Sequence, residues 1–293
     1  MVTEALQREI VTGYAARITK APNWHGLVAW DMLFNSLSTG LFLTAALSEF
    51  AAPHLFETSV KIAYPIALAL LLADLASLVL DLGDPRRFHH MLRIFKPTSP
   101  MSLGTWCLTV YSFPLTIAAV LGLLPGDMPA LEWVRKLAVI VGIIPAFGVA
   151  VYKGVLLSTT AQPGWREARW LGGYLTSSAF VLGGAEMLLL AIFLGEERAR
   201  DILRVGLIVL LLVNLIVLFL LAADLRRVLA HDYAPAEIAR LAVIGVVGET
   251  LIPIALLLGN RALPELVAVL FLLAGGLATR FAIVRLPHRV AQS

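Results

Sequence analysis

Long apolar stretches, separated by short polar segments, follow one another along almost the whole chain. Eight of them are long enough to cross a bilayer as helices, at roughly 25–51, 59–82, 102–124, 134–158, 170–195, 201–224, 237–259 and 263–285. Prolines and glycines fall at most of the joints, as helix ends require. The pattern predicts an all-α integral membrane protein of eight transmembrane helices, arranged as two four-helix bundles.

Composition supports a membrane location. Of the 293 residues, 59% are hydrophobic and only 15% are charged, against roughly 25% charged in soluble domains. We expect a polar N-terminal segment (1–24) without a cleavable signal, one membrane domain (25–285) and a short tail (286–293). The surroundings are membrane lipid, and no nucleic-acid partner is expected.

Charge is distributed unevenly between the two sets of loops. An even number of spans puts both termini on one side, and the loops of that side hold more lysine and arginine. The positive-inside rule therefore predicts a multi-pass protein of the bacterial inner membrane with cytoplasmic termini. The loop between the second and third spans lies on the same side and carries Arg86, Arg87, Arg93 and Lys96.

Ionisable residues inside the spans are candidates for function, because each costs about 2.5–3.5 kcal/mol or more at bilayer depth. With a rise of about 1.5 Å per residue, Asp31 lies about 9 Å, Asp74 about 12 Å and Lys153 about 8 Å from the side that bears the termini. Arg280 is expected near the same level. These groups should therefore converge beneath the loop at 83–101.

The remaining acids have two interpretations. Glu249 lies near mid-membrane and Glu186 lies about 24 Å in, so with Asp224 at the boundary they predict a proton path. Alternatively, Glu186 and Glu249 are protonated and bonded to a carbonyl, and Asp81 and Asp224 anchor helix ends. A purely structural ion pair between Asp74 and Lys153 also stays open.

Some chemistries are disfavoured. The single cysteine, Cys107, excludes an internal disulfide and a cysteine-ligated iron–sulfur cluster within the chain. All six histidines lie at span ends or in loops, so a haem held between two core histidines is not expected, and neither is a metal site. His25, at the mouth of the first span, is a candidate for proton exchange near neutral pH.

Three segments resemble the NrfD-like family, the membrane subunits of polysulfide reductase and related complexes. "DLGDPRRF" followed by "PTSPMSLGTW" is similar to the family's loop between spans two and three. "WHGLVAWDMLFNSLSTG" resembles its first span, and "VYKGVLLSTTAQPGW" resembles the end of its fourth. The resemblance covers most of 24–184.

The resemblance implies a quinone-binding anchor that holds no haem or iron–sulfur cluster of its own. An iron–sulfur (ferredoxin-like) subunit would sit on the loop, with Arg86, Arg87, Arg93 and Lys96 meeting its acidic face, and a catalytic subunit would complete the complex. A quinone, menaquinone or ubiquinone, would lie just below, among the first four helices.

The resemblance also implies roles for particular residues. Asp31 stands where the family has tyrosine or histidine, and Lys153 stands where a hydroxyl residue is common. Asp84 replaces a basic residue. We expect Asp31, Tyr152 and His25 to act in catalysis and Lys153 to pair with Asp31 or Asp74. The expected quinone-binding residues are Trp24, Asp31, Asp74, Asp81, Tyr152 and Lys153.

The sequence therefore predicts a quinone-binding subunit of a multi-subunit oxidoreductase, with proton translocation as a secondary hypothesis. Two alternatives remain. An ion-coupled secondary transporter would use the intramembrane carboxylates for substrate and protons, although it would not need the docking loop. A purely structural anchor that has lost quinone chemistry is the other.

Overall fold

The computed structural model of the protein describes residues 26–82, 84–124 and 129–290, with side chains as far as Pro287. These residues form helices and short connections, without a strand among them. The helices are α1 (Gly26–Ala51), α2 (Pro53–Leu80), a 3₁₀-helix (Pro85–Leu92), α3 (Pro100–Leu123), α4 (Pro129–Ser158), α5 (Leu171–Leu194), α6 (Glu197–Asp232), α7 (Pro235–Ala242), a π-helix (Val243–Leu251), α8 (Ile252–Leu257) and α9 (Ala262–Val290).

Among the described residues, seven of the eight predicted spans coincide with helices that are long and apolar enough to cross a membrane. They are α2 to α6, the continuous segment Pro235–Leu257, and Ala262–Pro287 within α9. The remaining predicted span, α1, forms a helix of 26 residues. It is not among the candidate spans, because its sequence contains many polar residues, most of which are buried. The predicted number of eight spans is therefore not confirmed.

Proline opens several of the helices, in agreement with the predicted joints. Pro53, Pro85, Pro100 and Pro235 occupy first-turn positions, where the missing N–H has no partner to lose and the fixed φ suits a helix. Most helix ends lie within a few residues of the predicted ends. The exceptions are the starts of α2 at Pro53 and of α4 at Pro129, five or six residues before the predicted starts, and the ends of α6 at Asp232 and of α9 at Val290, five or more residues beyond the predicted ends.

Helix α1 lies in the interior of the molecule. It packs against α2, α4, α5 and α9, so it contacts helices from both halves of the chain. Gly40 on α1 and Gly183 on α5 meet backbone to backbone, and a Cβ on either glycine would overlap the other helix. Because α1 lies between the halves, the predicted division into two four-helix bundles is not confirmed.

The segment between α2 and α3 is short and tied to α3. Asp84 caps the 3₁₀-helix by accepting a hydrogen bond from the Arg86 N–H (3.3 Å). Ser102 Oγ accepts from the Lys96 N–H (3.0 Å) and donates to the Ile94 carbonyl (3.3 Å). These contacts hold the segment over the ends of α2 and α3.

Candidate functional site

Three charged side chains from three helices meet near the end of the molecule that carries the α2–α3 segment. Lys153 Nζ, from α4, lies 2.8 Å from Asp31 Oδ2 on α1 and 2.6 Å from Asp74 Oδ1 on α2. It also donates to the Asp31 carbonyl oxygen at 3.0 Å. All three residues are buried. The predicted pairing of Lys153 is therefore found with both aspartates.

The cluster is not fully satisfied. Asn35, one turn after Asp31, donates to Asp74 Oδ2 at 3.3 Å, so both Asp74 oxygens have partners. Asp31 Oδ1 is buried and makes no hydrogen bond with any described residue. Such an oxygen costs free energy unless something bonds to it. Two carboxyl groups face a single ammonium, and Asp31 Oδ1 is the oxygen of the cluster to which no described residue donates.

A cavity of about 220 Å³ lies beside Asp31. Asp31, Tyr152 and Lys153 form its polar wall. Asp81 lies at the end of α2, and Met91 closes the cavity from the 3₁₀-helix. The rest of the lining is mainly apolar. A mostly apolar cavity with a few convergent polar groups is the usual form of a small-molecule site.

A glycine on α3 leaves the space that the Tyr152 ring occupies in this wall. A Cβ on Gly104 of α3 would overlap the Tyr152 ring, so the ring lies directly against the α3 backbone. Lys153 Nζ lies 5.7 Å from the centroid of the same ring, within the range of a cation–π contact. Gly104 and Lys153 together fix the ring at the cavity.

Arg280 lies beside α1 at the level of the cluster, as the depth estimate predicted. It is fully buried. Its Nε donates to the Met32 carbonyl (3.2 Å), Nη1 donates to the Gly276 carbonyl (2.7 Å), and Nη2 donates to Ser178 Oγ (3.3 Å). Arg280 therefore joins α9, α1 and α5 immediately next to Asp31.

The four predicted docking cations lie on the exposed segment above the cavity. Arg86, Arg87, Arg93 and Lys96 are all exposed. Large apolar side chains stand among them, with Phe88 50%, Ile94 74% and Phe95 55% exposed. The segment therefore presents a mixed basic and apolar surface.

Residues 17–287 match the family described as polysulphide reductase, NrfD. The chain belongs to the NrfD family. Members are membrane subunits of redox enzyme complexes, work with iron–sulfur and catalytic subunits, and are associated with the quinone pool. A comparison with curated proteins returned no match.

In this NrfD protein the three residues of the predicted proton path lie apart. Glu249 is buried in the π-helix, where its Oε2 lies 3.3 Å from the Tyr174 hydroxyl. Glu186 is partly buried on α5. Asp224 accepts a hydrogen bond from the Trp170 backbone N–H at 3.0 Å, so it anchors the start of α5. Within residues 26–82, 84–124 and 129–287, no hydrogen bond joins any two of these acids.

Two of the predicted quinone-site residues, Trp24 and His25, lie outside the described residues. The others, Asp31, Asp74, Asp81, Tyr152 and Lys153, come together as described above.

Sequence reasoning missed several buried polar residues of this NrfD protein. Glu49 and Arg135, neither of which the sequence pattern singles out, form a buried ion pair at the opposite end of α1. Tyr111 bonds to Ser38 in the middle of the molecule. The spacing of Asp31 and Glu49 could have found the pair, since 18 residues are five helical turns and place both on one face.

Proposed function

We propose that this NrfD-family chain is the quinone-binding subunit of a multi-subunit oxidoreductase. It would exchange electrons between the quinone pool and an iron–sulfur subunit docked on the α2–α3 segment. The observation that carries the proposal is a mostly apolar cavity lined by Asp31, a residue whose buried Oδ1 accepts no hydrogen bond from a described residue.

The residues of the cavity fit a quinone headgroup. Its volume of about 220 Å³ is below the ~300–1,000 Å³ of sites that enclose a whole ligand, so a ring would fit inside while an isoprenoid tail stayed in lipid. Tyr152 supplies a hydrogen-bond donor and Asp31 supplies an acceptor, while the three donors of Lys153 are used within the cluster. A bound quinone would contribute two-electron, two-proton chemistry.

The side chains around the cavity have different roles in the proposed proton transfer. Asp31 takes up a proton on Oδ1, since its other oxygen is already engaged by Lys153. Lys153, held by Asp74 and by the Asp31 carbonyl, keeps the Asp31 side chain oriented toward the cavity. The apolar walls from Leu78 and Met101 exclude water. Proton transfer of this kind requires hydrogen-bond reach, so the quinone headgroup would bind against Asp31.

Docking would use the surface above the cavity. Arg86 and Arg93 attract an acidic partner and orient it, while Phe88 and Ile94 supply apolar contact area. The cavity lies directly beneath, so a cluster in the docked subunit would stand close to the bound ring. The excess of Lys and Arg on this side supports a cytoplasmic location of the surface in a bacterial inner membrane.

The test replaces Asp31 with Asn in the intact complex. We expect quinone-coupled turnover to fall by roughly 10²-fold or more, as for loss of a proton-transfer group, while dye-linked activity of the soluble partners persists. The matched control is Asp201→Asn, which changes an exposed acid of α6 that lies 3.7 Å from Arg204. If Asp31→Asn kept wild-type quinone turnover, the proposed function would be wrong and the chain would be a purely structural anchor. The transporter alternative gains no support from the family.

A further inference from the structure

Asp81 lines the proposed quinone cavity but takes no part in the proton transfer assigned to Asp31. It is the first residue after the end of α2 and still has a helical backbone conformation. It belongs to the lining of the cavity of about 220 Å³, and it is exposed. One carboxylate therefore faces both the cavity and the water at this end of the molecule.

The periodicity of α2 explains how Asp81 reaches the cavity. Asp74, Leu78 and Asp81 are spaced by four and then three residues, so they lie on one face of the helix. Asp74 directs this face toward the cluster, where its Oδ1 lies 2.6 Å from Lys153 Nζ. Leu78 lines the cavity. Asp81 is seven residues beyond Asp74, about 10 Å along the axis, so it lies above the cluster and nearer to water.

A quinol site needs two proton acceptors, because each hydroxyl group loses a proton on oxidation. Asp31 Oδ1 is one acceptor. Asp74 is already engaged, since both of its oxygens have donors. The Thr105 hydroxyl in the α3 wall donates to the Met101 carbonyl at 2.9 Å, and a hydroxyl is a much weaker base than a carboxylate. Among the described residues of the lining, Asp81 is the second carboxylate.

The two carboxylates of the lining differ in their access to water. Asp31 is buried, with 6% of its surface exposed, so a proton on its carboxyl group is enclosed by the cluster. Asp81 is exposed and can exchange a proton with water directly. The two residues also come from different helices, α1 and α2. This arrangement suits a quinol, whose two hydroxyl groups lie on opposite sides of the ring.

We propose that Asp81 is the second proton acceptor of the quinone site and releases its proton to water on the side of the α2–α3 segment. This inference rests on the proposed quinone function. Oxidation of one quinol sends two electrons to the docked iron–sulfur subunit and leaves one proton on Asp31 Oδ1 and one on the Asp81 carboxylate. Asp81 then loses its proton to water. In quinone reduction, Asp81 takes a proton from water and delivers it to a ring oxygen.

The first experiment replaces Asp81 with Asn in the intact complex, which keeps the size of the side chain but removes its basicity. We expect kcat for quinol oxidation to fall roughly 10²-fold, as for loss of a general base, with KM unchanged. Calorimetry of the resting complex should give wild-type affinity for menadione, a naphthoquinone without an isoprenoid tail. The matched control is Glu57→Gln, an exposed acid near the other end of α2, which should leave all three quantities unchanged.

A second variant separates proton transfer from a structural role. Asp81→Ala opens space at the exposed mouth of the cavity, where formate, a small carboxylate, can enter and accept the proton. We expect added formate to restore quinol oxidation in Asp81→Ala as its concentration rises, and to leave the wild-type rate unchanged. A side chain that only supported the fold would not be replaced by a base in solution.

Three results would overturn the assignment of Asp81. One is a wild-type kcat in Asp81→Asn. Another is a higher KM or weaker menadione binding with kcat unchanged, which would make Asp81 a binding residue only. The third is a loss of turnover in Asp81→Ala that formate does not restore. All three would leave the quinone site intact, because failure of that site appears separately, as unchanged quinone turnover in Asp31→Asn.

Discussion

Two buried clusters, one at each end of α1, combine acids and bases in different ways. At the site, Lys153 joins Asp31 and Asp74. At the other end, Arg135 joins Glu49 and Glu132, with Tyr64 also donating to Glu49 at 2.7 Å. Every carboxylate oxygen of the second cluster has a donor, whereas Asp31 Oδ1 of the first has none.

The chemistry of the two bases explains this difference. A guanidinium is a planar fork of five donors and can satisfy two carboxylates at once. An ammonium is a compact point charge with three donors, and Lys153 uses one of them on a backbone carbonyl. Every carboxylate oxygen of the arginine cluster therefore has a donor, whereas Asp31 Oδ1 of the lysine cluster has none among the described residues. We call the first the closed cluster and the second the open cluster. We interpret the arginine cluster as a structural clamp on α1, α2 and α4.

Cavity size alone would have selected the opposite end of the molecule from the site that we propose. The larger cavity, about 650 Å³, lies beside the arginine cluster. Its charged wall groups are already paired with one another, for example Lys61 with Glu57 at 2.8 Å. The smaller cavity at the lysine cluster has the unpaired acceptor. An unsatisfied buried group is the better indicator of a site here, because it marks an interaction that the fold leaves for a ligand.

The largest expected effect comes from removing the base of the open cluster. Lys153→Met leaves two buried carboxylates without a cation, which costs about 3–5 kcal/mol of stability, and it should also abolish quinone turnover. Thermal unfolding of the purified complex and quinol assays measure the two effects. The control is Lys136→Met on the same helix, whose side chain is 38% exposed and pairs at 3.4 Å. Equal stability of Lys153→Met and wild type would contradict the description of the cluster.

A similar loss of stability, without the loss of activity, is expected at the closed cluster. Arg135→Met strands Glu49 in the interior and should lower stability by about 3–5 kcal/mol. Quinone turnover per folded complex should stay at the wild-type level, because no residue of the cavity is touched. Adding Glu49→Gln should recover part of the stability. A selective loss of turnover in the folded fraction would show that the two ends are not independent.

The smallest expected effect, a partial loss of quinone turnover, tests whether Tyr152 belongs to the proposed quinone site. Gly104→Ala pushes the Tyr152 ring away from α3, and we expect a roughly tenfold loss of quinone turnover from the displaced contact. Gly122→Ala, on the same helix, is the control, since its Cβ would meet only the Lys61 backbone at an ordinary 3.6 Å. Equal turnover in the two variants would remove Tyr152 from the site.

Much of the open cluster was predictable from the chain alone. Helix rise converts sequence position into depth, so Asp31, Asp74 and Lys153 were expected at one level beneath the α2–α3 segment. The cost of intramembrane charge made them candidates, and the motifs of that segment indicated the family. Depth along a membrane normal is a one-dimensional quantity, and the hydropathy pattern determines it.

Tertiary structure decided which side chains at one depth actually touch. Arg135 lies only six residues into α4, near the start of the helix. The rotation of α4 turns its side chain inward to Glu49. The open oxygen of Asp31 and the contact of Gly104 with Tyr152 likewise depend on helix rotation and close packing. The sequence by itself determined the spans and their depths, whereas lateral contacts needed the packed helices, because side chains far apart in the chain set the rotation of each helix.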